Sequence, residues 1–289
     1  MGNTLYLECY NGISGDMTVA ALIDLGADKE VLSEALKSLN VDGFDTRISR
    51  VKKSGIDACD FEVLLDDDNH DHDMEYLYGG MSGFLDEAAH SHGHHEHSHH
   101  EHGCGHHDHH HDHSHEHSHP HRGLKEIEDI ISSGKLSDRA RNLALKIFGI
   151  IAEAESRAHG IDIDHVHFHE VGAVDSIVDV VAAAVCMDNL DIDEVIVPEL
   201  YEGTGHVRCR HGFMPVPVPA VVNIASQAGI RLHITDRAGE LVTPTGAAIV
   251  AAVMTKDELP DSFKIKKIGI GAGKRDYKVP PLLRAMLIE

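Results

Sequence analysis

An acidic, histidine-rich tract divides this chain and limits what it can fold into. Residues 66–121 contain 13 Asp or Glu and no Lys or Arg, and 18 of the 27 histidines fall between His90 and His121. Such a segment buries too little apolar surface to offset the entropy lost on ordering it. We therefore expect a disordered insertion at 66–122, between α/β segments at 1–65 and 123–289.

The imidazole groups of this tract, interspersed with carboxylates, predict metal capture. Imidazole suits borderline metals such as nickel, zinc and cobalt, and a flexible tract can bind several ions without one fixed geometry. Its internal position and its mixture with Asp, Glu, Ser and Gly argue against an expression tag. The tract alone does not identify the ion.

Charge and composition exclude several classes of protein. Hydrophobic residues make up 42% of the chain, which predicts a globular protein, and the net charge is −23 at pH 7 with neutral histidine. An acidic surface repels phosphate, which argues against nucleic acid or an anionic membrane as a partner. The five cysteines show no paired spacing, and neither a signal peptide nor a membrane-length apolar run is found. We expect a soluble, cytoplasmic protein.

The local patterns predict a mixed α/β (α+β) fold, a sheet with packed helices. A strand at Leu5–Cys9 precedes a glycine turn and a helix from Thr18 to Leu25, and alternation at 44–52 and 57–65 predicts a hairpin. Further patterns predict a buried strand at Val195–Pro198, and helices at 29–39, 124–132, 137–159, 174–190 and 220–228.

The sequence HVHFHEVGAVDSIVDVV, residues 165–181, concentrates groups that can bind metal. In an extended segment alternate side chains share one face, so three imidazoles could converge on one ion. Glu170 follows them directly. The alternative is that these histidines are ordinary polar surface. The three candidate ligands are His165, His167 and His169.

The helix that follows this stretch carries two carboxylates. Asp175 and Asp179 lie four residues apart and hence on one helical face. Paired carboxylates suit magnesium or manganese, and either group could act as a base. The alternative is that Asp175 only stabilises the helix N-terminus electrostatically.

Three other segments contain candidate phosphate ligands. NGISGDM follows a strand and precedes a helix. This layout points backbone N–H groups, such as that of Gly15, at an anion. Asp16 could hold a divalent ion or cap the helix. ELVTPTGAAIVAAVM, residues 240–254, repeats this layout with Thr243 and with Thr245, which a simple cap would also explain. The segment 202–212, EGTGHVRCRHG, is predicted to be a glycine-rich loop in which two arginines could bind an anion or form a local salt-bridge patch. They are Arg208 and Arg210.

Together these motifs resemble those of the LarC-type nickel-insertion proteins. The resemblance rests on NGISGDM, the histidine tract, HFHEVGAVDSIVDVVAAA, GTGHVRCRHGFMPVPVPA, ELVTPTGAAI and GIGAGKRD, in this order along the whole chain. It implies a nickel chelatase or cyclometallase of the lyase class, which forms a nickel–carbon bond in pyridinium-3,5-bisthiocarboxylic acid mononucleotide. It further implies CTP hydrolysis with Mg or Mn, and a product that serves as cofactor of an apo lactate racemase.

The resemblance also implies a C-terminal nucleotide-binding domain, which we expect to be absent from this chain. We therefore expect either a C-terminal partner polypeptide or the missing domain of a longer protein to complete the reaction. Under this interpretation the three histidines bind metal, Glu170, Asp175 and Asp179 are catalytic candidates, and the phosphate candidates bind the mononucleotide. The rival interpretation is a nickel storage protein or metallochaperone without catalysis, which explains the tract but not the ordered motifs around it.

Overall fold

The computed structural model describes residues 2–66, 122–166, 168, 174–209, 212–275 and 279–289. The described strands are β1 (Asn3–Glu8), β2 (Phe44–Lys53), β3 (Ile56–Leu65), β4 (Ile192–Ile196), β5 (Leu200–Thr204), β6 (His206–Cys209), β7 (Gly212–Pro215), β8 (Leu232–Ala238), β9 (Ile265–Ala272) and β10 (Leu282–Ile288). The described helices are α1 (Gly15–Leu25), α2 (Lys29–Lys37), α3 (Leu124–Ser133), α4 (Asp138–His159), α5 (Val174–Asn189), α6 (Pro219–Ala228) and α7 (Pro244–Val253).

These elements confirm the predicted mixed α/β class. The hairpin of β2 and β3 turns at Ser54 and Gly55, both with positive φ, as predicted. Helix α4 matches its prediction, and the Ser137 hydroxyl caps it by accepting a hydrogen bond from Ala140 N at 3.0 Å. Helix α1 begins at Gly15, three residues earlier than the predicted Thr18.

Six strands form one sheet in the order β2-β3-β9-β10-β1-β4, so strands from both sides of the histidine tract join it. The β1–β4 and β3–β9 pairs are parallel, whereas β10 is antiparallel to both β1 and β9. Strands β1, β3, β4 and β9 therefore end at one edge of the sheet. Ligand sites in open α/β sheets lie at this carboxyl edge. Asp66, which directly follows β3, places the start of the tract there; the rest of the tract lies outside the described residues.

Helix α1 packs closely on the sheet because β9 carries glycines beneath it. A Cβ on Gly271 would collide with the carbonyl oxygen of Met17, and one on Gly269 would collide with that of Ala21. Buried residues of β1, β3, α1, α4, α5 and α7 form the main core. On the other face of the sheet, a smaller cluster around Tyr6 and Met286 packs against Phe263.

The prediction of a glycine-rich loop at 202–212 is wrong for its described residues, 202–209 and 212. Strand β5, which includes Glu202, pairs in parallel with β8 as far as Thr204, and β6 and β7 form a short antiparallel hairpin. The loop was inferred from its glycines, but those at 205 and 212 have positive φ at strand ends, where they permit tight turns. The strand predicted at Val195–Pro198 runs instead from Ile192 to Ile196. Within the described ranges, no helix has both the length and the apolar character needed to cross a membrane.

Candidate functional site

The two strand–turn–helix motifs predicted to bind anions lie side by side at the carboxyl edge of the sheet. Ile13 N donates to the Leu241 carbonyl and Thr243 N donates to the Ile13 carbonyl, both at 3.0 Å. A Cβ on Gly246 would collide with the carbonyl of Ile13, so glycine is needed there for this approach. Helices α1 and α7 therefore begin next to each other.

The N-terminus of α1 already holds a side chain of the protein itself, the carboxyl group of Asp179 on α5. Gly15 permits this contact, because a Cβ there would lie 2.6 Å from Asp179 Oδ2 and 2.8 Å from its Cβ. The backbone N–H of Asp16 donates to the Asp179 carboxylate. Among the described residues, Asp179 Oδ1 is buried and has no hydrogen-bond partner. A helix N-terminus presents free N–H donors to an acceptor or an anion, and here the carboxyl group of a protein side chain occupies that position.

Asp16 lies beside this carboxylate and is itself bound by its neighbours. The Ser14 hydroxyl donates to Asp16 Oδ1, and the Met17 N–H donates to the same side chain. Burial raises the pKa of Asp16 despite these bonds and the nearby Lys274 ammonium. Burial also raises the pKa of Asp179 well above its ordinary value, and the charges of Asp16 and Asp175 raise it further. Carboxyl groups this close cannot all ionise at once.

Lys274, in the loop after β9, provides the positive charge of this cluster. Its Nζ lies 2.5 Å from Asp60 Oδ1, and its charge lowers the pKa values of both Asp16 and Asp179. Sequence patterns did not single out Lys274 or Asp60 as site residues, because the two are far apart in the chain. The parallel pairing of β3 with β9 brings them together.

The N-terminus of α7 is capped by Thr243. Its Oγ1 accepts a hydrogen bond from Gly246 N at 3.1 Å, so the interpretation of Thr245 as the cap is wrong. Thr245 lies two residues later, within the first turn of α7, and is 8% exposed. Pro244 has no N–H, so this end has few donors left for a phosphate.

Glu202 on β5 is a buried acid that sequence reasoning missed. Its Oε1 accepts hydrogen bonds from the backbone N–H groups of Gly203 (2.7 Å), Leu241 (2.7 Å) and Val242 (3.2 Å). Its Oε2 is buried without a partner in the described part of the chain. Burial, and to a smaller extent the charge of Glu240, raises the pKa of Glu202 to about 7. A charged residue within the short apolar segment LYEG was the available signal, since an acid is seldom fully buried.

Only part of the predicted histidine cluster lies within the described residues. His165 is exposed and ends a short 3₁₀ turn, Ile163–His165, so it does not lie in an extended strand. Val166 and Phe168 are buried, and the ring centroids of Phe168 and Phe148 lie 6.3 Å apart in an edge-on contact. Within the described residues no group of three or more His, Cys, Asp or Glu could hold a metal ion. The predicted site residues His167, His169, Glu170 and Arg210 lie outside the described residues.

Arg208 lies on the β6–β7 hairpin, which contributes no residue to the acidic cluster. It is exposed and lies opposite Phe213 across the two strands. The structure therefore brings together Gly15, Asp16, Asp175, Asp179 and the start of α7, while Arg208 lies on a different element.

Comparison with known proteins decides the family. A family model described as "Nickel insertion protein" matches residues 5–289. The chain belongs to this nickel insertion family. The resemblance found in the motifs is thereby confirmed.

Several curated relatives of this nickel insertion family member carry one name, pyridinium-3,5-bisthiocarboxylic acid mononucleotide nickel insertion protein. That of Alkaliphilus metalliredigens is 54% identical over 100% of this chain and 61% of its own length. That of Clostridium acetobutylicum is 46% identical over 99% of this chain and 64% of its own length. The chain thus spans about three fifths of the length of these relatives. No solved structure matches it.

Proposed function

We propose that this chain takes part in inserting nickel into pyridinium-3,5-bisthiocarboxylic acid mononucleotide. The names of its relatives and its membership of the nickel insertion family support this proposal. In the reaction a nickel–carbon bond forms, a ring C–H bond breaks and the proton passes to a base. CTP hydrolysis with Mg or Mn drives the reaction, in concert with a C-terminal partner polypeptide. The product then passes to an apo lactate racemase.

Asp179 is the base that the geometry supports best. Its Oδ1 is buried, without a hydrogen-bond partner among the described residues, and its pKa is raised well above the ordinary value. A carboxyl in this state keeps its proton until a positive charge arrives. Nickel and a pyridinium ring both favour the ionised form, so their arrival prepares Asp179 to accept the ring proton.

The other candidates take supporting roles in this proposal. His165, His167 and His169 bind the incoming nickel, with Glu170 and Asp175 as further ligands or bases. Gly15, Asp16, Thr243, Thr245, Arg208 and Arg210 are the candidates for the phosphate and its ion. Because Asp179 and Thr243 already accept hydrogen bonds from the two helix ends, phosphate binding there requires a bridging cation. The Lys274 ammonium offers an additional positive charge at this edge.

The test is an assay of nickel transfer to the thiolated mononucleotide by the full chain, with CTP, Mg and the C-terminal partner. We expect Asp179→Asn to lower the rate by about 100-fold or more, the usual contribution of a general base. Asp129→Asn, an exposed Asp on α3, is the matched control and leaves the rate unchanged. An Asp179→Asn variant with the normal rate would exclude this base.

Deletion of residues 90–121 distinguishes nickel insertion from the rival function of nickel storage. A storage protein would lose its function with the tract. An insertion protein that is supplied with ample free nickel keeps its activity.

A further inference from the structure

Three aromatic rings pack together at the start of the loop that leads into α1. The Tyr10 and Tyr201 ring centroids lie 4.9 Å apart at 64°, an edge-on contact. Tyr201 in turn stacks on His233 at 4.3 Å and 19°, since the two are cross-strand neighbours on β5 and β8. Tyr10 is 46% exposed, so one large aromatic surface of this stack faces solvent. None of these three residues has a role in the function proposed above.

Tyr10 is held at both ends. Its hydroxyl shares a hydrogen bond with the buried Tyr6. Its backbone carbonyl accepts a hydrogen bond from Arg237 Nη1 at 2.9 Å. Arg237 Nη1 also donates to Asn11 Oδ1 at 2.9 Å. A ring fixed in this way loses little further side-chain entropy when a ligand stacks on it. An exposed tyrosine on an ordinary surface would have neither restraint.

The charges around the stack suit a positively charged planar ligand. Glu199 Oε1 accepts a hydrogen bond from the Tyr201 hydroxyl at 3.0 Å, and its Oε2 lies 3.8 Å from His233 Nδ1. The Arg237 guanidinium is the opposing positive group, but its Nη1 is directed at the Tyr10 carbonyl and Asn11. The face of an aromatic ring carries negative charge and attracts cations, including flat cationic rings.

We propose that Tyr10, backed by Tyr201 and His233, is the docking position for the pyridinium ring of the mononucleotide before nickel is inserted. This inference rests on the proposed function, which supplies a substrate with a cationic ring. Tyr10 and Ser14 are four residues apart, so their Cα atoms lie at most about 14 Å from each other. The docking position thus lies on the loop that leads into α1, whose first turn contains Asp16 of the acidic cluster.

The experiment measures binding of nicotinic acid mononucleotide, which has a pyridinium ring and a phosphate, by calorimetry on the full chain. Its 1,4-dihydro form, whose ring is uncharged, is the matched ligand. We expect Tyr10→Leu to weaken binding of the charged ring by about 3- to 30-fold and to leave the uncharged form nearly unaffected. Tyr10→Phe keeps the ring and should stay within about threefold of the unmodified chain.

Equal affinity of the Tyr10→Leu variant and the unmodified chain for the charged ring would overturn the docking position. So would equal affinity of the unmodified chain for the charged and the uncharged ring. Either result leaves the nickel transfer assay, and with it the proposed function, untouched. Conversely, a chain that binds the charged ring through Tyr10 but inserts no nickel with its partner refutes the proposed function alone.

Discussion

Replacing the buried Glu202 by Gln should make the stability of the protein, relative to the unmodified chain, increase with pH. In the native state the pKa of Glu202 is raised from 4.5 to about 7, chiefly by burial, whereas in the unfolded chain it returns to its ordinary value. Between these two values the native protein holds a proton that the unfolded chain has released. Raising the pH through this window therefore favours unfolding.

The size of the effect follows from the two pKa values. One pKa unit corresponds to 1.36 kcal/mol, so the raise from 4.5 to about 7 corresponds to about 3 kcal/mol of stability lost by pH 8. Gln keeps an oxygen that can accept from Gly203, Leu241 and Val242, and it does not titrate. The cost of burying its amide is independent of pH, so it cancels when the pH dependence is compared.

The assay is urea unfolding of the Glu202→Gln variant and the unmodified chain at several pH values from 4.5 to 8. We expect the variant's free energy of unfolding, relative to the unmodified chain, to rise by about 3 kcal/mol over this range. Glu128→Gln, an exposed acid on α3, is the control whose relative stability should stay flat. A flat difference for Glu202→Gln would show that the carboxyl is ionised throughout, and the argument from burial would fail.

Four further outcomes are expected. Gly15→Ala should cost about 1–3 kcal/mol in urea unfolding, because its Cβ would meet Asp179 at 2.6 Å, whereas Gly149→Ala on α4 meets nothing within 4 Å and should be neutral or stabilising. Thr243→Ala should cost about 1 kcal/mol through loss of the α7 cap, and Thr243→Ser should retain most of it; equal losses for the two would contradict the capping role. Deleting 90–121 should remove most bound nickel in calorimetry, and binding by the intact tract should weaken below about pH 6.5, since protonated imidazole cannot ligate. Replacing His167 and His169 by Ala should abolish nickel transfer while leaving bulk nickel binding intact.

Local periodicity was sufficient to predict the elements that are stabilised mainly by interactions within one continuous segment of the chain. The apolar stripe of α4 and its Ser137 cap lie within one segment, and so do the two strands of the β2–β3 hairpin. The early start of α1 could not be predicted in this way. Its first turn is stabilised by Asp179, a carboxylate from a helix more than 150 residues away, and no window along the sequence contains both.

The same limit applies to the candidate site. Gly15, Asp16 and Asp179 were identified individually, from a turn pattern and from helical spacing. Their mutual contact, and the charge supplied by Lys274, depend on which strands are neighbours in the sheet. Glu202 was missed because its three N–H donors come largely from residues 241 and 242, beside β5 only in the folded chain.

The backbone N–H groups at the described starts of α1 and α7 are in large part already bound by the protein's own side chains. Asp179 occupies the N-terminus of α1, and Thr243 occupies that of α7. Glu202 accepts hydrogen bonds from the segment directly before α7. A phosphate would have to compete with these groups in a protein of net charge −23. A cation faces the opposite situation, because the carboxyls with raised pKa values can release their protons when it binds. The arrangement therefore favours a positively charged cargo at this edge, and it predicts proton release as nickel enters.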